Sequence, residues 1–370
     1  MHQSFDFAQQ VFLPQDSQQV GPLYFLCGYK VGLFGIAVEP LRKFVLYIIP
    51  EAAHCGKGSN VVISLLHHFY TNFSVGETDS LCHADNCCGQ NKNNFMMQYC
   101  LWRTATGQNQ SFQISFMPVG HTKFWPDLLF GLFKKRWRRE QASSVADVQR
   151  IARECCPGNV FPVAVGDEAG HTFVPIYDWQ SKFKAHGFHK IPEIKKFHHF
   201  FFTNQSPGIV SCKTSLNSDS VRFTVGEVST LDKSLPNIIH PVGLSYARKL
   251  YLYNSIRQYV PDDSKDTLCP LPCAVTAYVP PEPTAEPGTS MVQDAQNDDG
   301  PTNKDNRQTG TVQIEPFVFQ TPEKKRRKTP TCSYCLQAGH RNQTIRGRLV
   351  CPKRREDIMK PATADHVDTD

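Results

Sequence analysis

The chain has 370 residues, a formal charge of +6, and a composition that is 40% hydrophobic and 11% aromatic, which supports a packed core and excludes a wholly disordered polymer. No apolar run reaches the roughly 18 residues of a membrane span, and the opening MHQSFDFAQQ lacks the basic and apolar regions of a signal peptide, so an intracellular protein is expected. Fourteen cysteines in such a chain read as reduced thiols or metal ligands rather than as a disulfide framework.

Ser4 to Phe7 alternates apolar and polar residues, Leu23 to Val38 is strand-like with glycine breaks, and Lys43 to Ile49 is a β-branched and aromatic run, which predicts three strands. After the turn-prone GKGS at 56 to 59, Asn60 to Phe73 spaces its apolar residues as a helix does. Asp79 to Asp85 then predicts a short strand, Asn93 to Thr104 a helix, and Phe112 to Val119 a further strand. Pro126 to Gln141 starts with proline in a helical first turn and runs into a basic helix. This order is that of a ribonuclease H-like α/β domain, a mixed sheet flanked by helices, placed over residues 1 to 265. From Pro280 the chain turns to Pro, Asp, Asn, Gly and Thr, so residues 266 to 328 are expected to be a disordered linker. A small cysteine-bearing module follows at 329 to 357, and 358 to 370 is expected to be a disordered tail.

Three aspartates fall where such a fold converges its strands. Asp6 lies in the first strand, Asp85 ends the fourth, and Asp127 opens the helix after the fifth. Phosphodiester chemistry with two hard divalent ions, Mg²⁺ or Mn²⁺, needs carboxylates from separate elements at one place. Each acid also has an ordinary structural role available, and for Asp127 alone a helix cap is the commoner one. His121 in GHTKF is equally compatible with a site role and with a loop histidine. Cys55, Cys82, Cys87 and Cys88, with His54 and His83, match no standard zinc spacing and read as core or supporting residues.

Cations cluster in two runs. KKRWRR supplies Lys134, Lys135, Arg136, Arg138 and Arg139 on the helix that begins near Asp127, and with Lys92 and Lys123 these are the candidate phosphate contacts. Lys324, Lys325, Arg326, Arg327 and Lys328 form a single-cluster nuclear localisation pattern for an import receptor, compatible with a basic arm on nucleic acid. Just beyond it, Cys332, Cys335, His340 and Cys351 offer three thiolates and an imidazole, the donor set of a closed structural Zn²⁺ site of knuckle or ribbon type. Arginines and lysines around it favour nucleic acid as its partner, DNA first and RNA as a second possibility.

The stretches SFDFAQQ, GKGSNVVISLLHHF, HADNCCGQNKNN, GHTKFWPDLLFGLFKKRWRR, VPIYDWQSKF and IKKFHHFFF together resemble a widespread, poorly characterised transposon-derived domain family that recurs in many copies in animal genomes. The resemblance spans residues 4 to 225 and implies a ribonuclease H-like transposase of the Asp, Asp and Asp or Glu type. It implies that Asp6, Asp85 and Asp127 hold the metal, with water or a DNA 3′ hydroxyl as nucleophile. Aspartate stands at the third position, where glutamate is commoner. Transposases usually carry an N-terminal DNA-binding region, and this chain begins just before Asp6, so complete transposition by it is not expected. The function expected is therefore a nuclear, transposase-derived DNA-binding protein with a candidate two-metal site. The alternative is a catalytically inactive domesticated or decaying copy that binds nucleic acid.

Overall fold

The computed structural model describes residues 1–18, 21–74, 76–118 and 124–272, together with the backbone of 344, 345, 348 and 349. The chain divides into two units, 1–283 and 284–370. In the second, the described residues form a short antiparallel pair, Thr344–Ile345 against Arg348–Leu349.

Three antiparallel strands open the first unit: β1 (His2–Leu13), β2 (Tyr29–Val38) and β3 (Lys43–Pro50). Their β-branched and aromatic residues suit a pleated surface covered on both sides, and nearly all of β2 and β3 is buried. A bulge between Ala8 and Val11 reverses the alternation of β1, so Ala8 and Val11 serve the same core. Helix α1 (Ser59–Asn72) then leads to β4 (Asp79–Ala84), which lies parallel to β1. Helix α2 (Asn94–Ala105) starts where Asn93 accepts the Met96 N–H at 3.1 Å, and β5 (Ser111–Phe116) follows parallel to β4. Helix α3 (Trp125–Trp137) is joined to α4 (Val145–Cys155), which begins with a reciprocal Ser144 and Asp147 cap.

The sheet continues beyond this expected order at both edges. β6 (Val160–Ala164) adds to β3 in parallel. β7 (Ile176–Tyr177) and α5 (Trp179–His186) precede β8 (His199–Thr203), β9 (Ile209–Lys213) and β10 (Val221–Thr224), which extend β5 in antiparallel. The nine strands run β10-β9-β8-β5-β4-β1-β2-β3-β6. β7 forms a separate pair with β11 (Ile238–Ile239), and α6 (Tyr246–Tyr251) and α7 (Lys265–Leu268) follow. Mixed α/β architecture with a large helix-flanked sheet is therefore as expected.

Two cores sandwich the sheet. On one face α1, α2 and α5 bury Phe69, Tyr99, Trp102 and Trp179. On the other, α3 and α4 bury Phe130, Phe133, Trp137, Val148 and Ile151, joined by Leu252 and Ile256. Each such side chain contributes about 1.5–3 kcal/mol through removal of apolar surface from water. Arg248 fastens the C-terminal segment by donating to Glu51 at 2.9 Å and to the Cys27 and Gly28 carbonyls. Leu268 and Cys269 are also buried in this core.

Glycine at position 35 has a specific cause. Gly35 stands opposite Asp6 in the β1–β2 register, and a Cβ there would lie 2.2 Å from the Phe44 ring and 2.8 Å from Phe130. The missing methyl lets α3 sit close over β1 and β2, beside the carboxylate of Asp6.

Candidate functional site

Strand alternation decides which side chains meet. On β1, Phe5 serves the core under α1 and α2, whereas Ser4, Asp6 and Ala8 turn to the α3 face. On β4, Cys82 and Ala84 belong to the first core, so His83 and the following Asp85 turn to the same face as Asp6. The parallel register ends with Phe5 opposite Ala84, the last residue of β4, and Asp6 and Asp85 are the residues that follow each of them. Adjacent strands lie about 4.8 Å apart, which puts the two aspartates in one neighbourhood where β4 gives way to its following loop.

Electrostatics record that proximity. The Asp6 carboxyl is pushed up to about 7, first by burial, then by the Asp85 charge and, least, by Asp127, against the Phe7 N–H that donates to Oδ1 at 2.7 Å. Asp85 Oδ1 accepts from the Asn91 side chain at 2.5 Å and from the Cys87 N–H at 3.2 Å. Asn91 is buried, and its own Oδ1 has no partner among the described residues. The DNCCGQN loop is thus built to hold the Asp85 carboxylate in one orientation, with an unfilled acceptor beside it.

Asp127 is placed differently. It is the third residue of α3, exposed, and its Oδ2 accepts the Phe124 N–H at 3.4 Å, the capping role open to such an aspartate. Asp6, Asp85 and Asp127 do not form a trio with one oxygen of each within 4.8 Å of the others; among the described residues one trio of ligating side chains does so, His2, Glu39 and His83. Asp6 feels the charge of both other aspartates, that of Asp85 more strongly than that of Asp127.

Among the expected cations, Lys92 is buried, and its Nζ donates to the Lys195 carbonyl at 2.9 Å and lies 5.7 Å from the centre of the Phe116 ring. It meets the chain rather than solvent. Arg136 is engaged by Glu140 at 2.9 Å and by Glu154 at 2.5 Å. Lys135, Arg138 and Arg139 are exposed, and Lys134 is half-buried. Asp127, Gly131, Lys134 and Arg138 follow at steps of four, three and four, which sets them on one stripe of α3. Lys134 and Arg138 line a groove of about 420 Å³ with Gln9, Gln10, Phe12 and Tyr24. A separate cavity of about 860 Å³ takes in Arg139, Asp147 and Arg150 and contains none of the three aspartates. Lys123, His121, the cluster 324–328 and the set Cys332, Cys335, His340 and Cys351 lie outside the described residues. Every described cysteine is a free thiol.

Residues 29–219 match the family model described as Domain of unknown function (DUF7869), which covers just over half of the chain. The chain belongs to the DUF7869 family. No curated protein and no solved structure matches it. The DUF7869 segment begins with β2 and contains Asp85, Asn91 and Asp127, while Asp6 precedes it. The family description states no activity, so what the DUF7869 domain does here is argued from its side chains.

Proposed function

We propose that this chain is a transposase-derived DNA-acting protein with a ribonuclease H-like core, in which Asp6 and Asp85 hold a divalent cation for phosphodiester hydrolysis or strand transfer. The fold reading is supported by the central order β5-β4-β1-β2-β3, with β1 to β3 antiparallel and β4 and β5 parallel to β1. One observation carries the site: a carboxylate on β1 and another just past the end of its parallel neighbour β4, the first raised by burial and by the charge of the second.

The donor set fits Mg²⁺ or Mn²⁺, because hard ions take carboxylate oxygens and keep waters. A buried acceptor without a partner on Asn91, against Asp85, suits such a water. When bound, the ion supplies Lewis-acid stabilisation of charge on phosphate oxygens. Asn91 and the Cys87 N–H fix the Asp85 carboxylate, and Asp6, raised toward neutrality, holds or releases a proton at Oδ as the local charge changes. The Asp127 stripe of α3 carries Lys134 and Arg138 away from the acids as phosphate contacts. The proposal includes Lys324 to Lys328 as an import signal and Cys332, Cys335, His340 and Cys351 as a zinc-binding module.

A catalytically inactive nucleic-acid-binding protein is the second reading, favoured by the capping role of Asp127. The two readings separate when the full chain is incubated with single- and double-stranded DNA and Mn²⁺. Cleavage or joining abolished by a chelator supports the first; binding with no covalent product supports the second.

Binding itself has a quantitative signature. Lys134→Ala combined with Arg138→Ala is expected to reduce the slope of log affinity against log salt by about 1.4 to 1.8, as for two lost phosphate contacts. Exposed Tyr24 and Phe25, 69% and 85% accessible, stand beside this groove as bases' stacking partners. An unchanged salt slope in the double variant removes α3 from the nucleic-acid path.

A further inference from the structure

On the same sheet face, one row from the aspartates, register assembles a group that no stretch of sequence displays. Ser4 pairs with His83 across β1 and β4, so His2 and His83 turn to one side on neighbouring strands. Glu39 follows β2, and its N–H donates to the His2 carbonyl at 3.1 Å, which sets its side chain beside His2. His2 Nε2 lies 2.9 Å from His83 Nδ1, and His2 Nδ1 lies 3.2 Å from Glu39 Oε2. The two imidazole rings have centroids 4.9 Å apart and planes inclined by 68°, an edge-on rather than stacked arrangement.

We propose that His2, Glu39 and His83 form a binding site for a zinc-type divalent transition metal. One ligating atom from each lies within 4.8 Å of the other two. With metal–ligand bonds of about 2.0–2.1 Å, the edge of a tetrahedron is about 3.3 Å. His2 ligates through one ring nitrogen: Nε2 is already 2.9 Å from His83 Nδ1 and Nδ1 is 3.2 Å from Glu39 Oε2, so the imidazole or the Glu39 side chain turns for all three to meet one ion. Two imidazoles and one carboxylate are a donor set for Zn²⁺ rather than for Mg²⁺, and three protein ligands leave a fourth position open. The side chains of His2 and Glu39 are 34% and 22% accessible, which gives an ion a path in. This group is separate from the Asp6 and Asp85 pair: His2 stands four residues before Asp6 on β1, about 13 Å along the strand. An ion here ties the start of β1, the end of β2 and the end of β4, so its effect reaches the stability of the sheet.

The test uses the full chain carrying Cys332→Ser and Cys335→Ser, so that the C-terminal cysteines do not contribute, stripped with a chelator and titrated with Zn²⁺. One equivalent is expected to bind, with a rise in melting temperature. Glu39→Gln and, separately, His83→Asn are expected to weaken that equivalent tenfold or more and to abolish the rise. Glu39 lies at the end of a strand near the surface, so its variant reads ligation even if His83→Asn fails to fold. Zinc binding equal to the parent in Glu39→Gln, no zinc bound by the parent, or an equivalent lost instead with Asp6→Asn, overturns the proposal. In the first two of those cases the contacts seen are a hydrogen-bonded network only.

Discussion

Asp85→Asn is expected to lower Mn²⁺-dependent phosphodiester cleavage by at least about 10³-fold, a loss of about 4 kcal/mol of transition-state stabilisation. The substitution keeps the size of the side chain and still accepts the Cys87 N–H, but removes one of two adjacent negative charges. The remaining amide is a poor ligand for a hard cation beside a partly protonated Asp6. Because Asp85 lies at a strand end, held by its own loop, little of the core depends on its charge. DNA binding through Lys134 and Arg138 is therefore expected to survive with its salt slope intact. Full cleavage by Asp85→Asn contradicts the assignment of Asp85, and equal loss of cleavage and binding points to misfolding instead.

Asp6→Asn is expected to remove a pH dependence of stability from the metal-free protein. The folded-state value of about 7 lies above the ordinary 3.8, so between these the folded chain retains a proton that the unfolded chain has released. Stability is then greatest below about pH 4, falls as pH rises toward about 7, and is level above it. A shift of that size corresponds to about 4 kcal/mol, which solvent screening of the partly exposed carboxylate reduces to about 2. The variant, carrying no titrating group there, should match wild type near pH 4 and exceed it by about 2 kcal/mol at pH 8. Urea unfolding of both proteins across that range isolates the effect, since other groups titrate equally in each. A constant difference from pH 4 to pH 8 contradicts the raised value.

Much of this architecture is legible in the chain because local and long-range signals agree. The β-branched runs of β2 and β3, the amide-rich loop capped by Asn93 into α2, and the proline opening α3 each identify an element and its boundary. The single span expected from Leu23 divides, because Gly21–Phe25 forms a 3₁₀ turn before β2. The outer strands β6 and β8 to β10 were not among the expected elements. They are short, and β6 contains a proline, tolerated at the sheet edge where no ladder hydrogen bond is forfeited. Side-chain direction was less legible than position. Lys92 sits among polar residues that suggest exposure, yet it turns inward to the Lys195 carbonyl, a partner distant in sequence. The ambiguity of Asp127 between cap and ligand is inherent in a helix first turn, where the same carboxylate serves the Phe124 N–H. The His2, Glu39 and His83 group had no sequence signal at all, because only the β2–β1–β4 register makes neighbours of residues so far apart.

The central claim is that Asp6 and Asp85 together hold a divalent cation, and Mn²⁺ titration of the full chain followed by electron paramagnetic resonance tests it most directly. Wild type is expected to bind Mn²⁺ in competition with Mg²⁺. Asp6→Asn and Asp85→Asn should each weaken that binding at least tenfold, whereas Asp79→Asn, an exposed aspartate at the start of β4, should leave it unchanged. The same Mn²⁺ affinity in wild type, Asp6→Asn and Asp85→Asn would contradict the account.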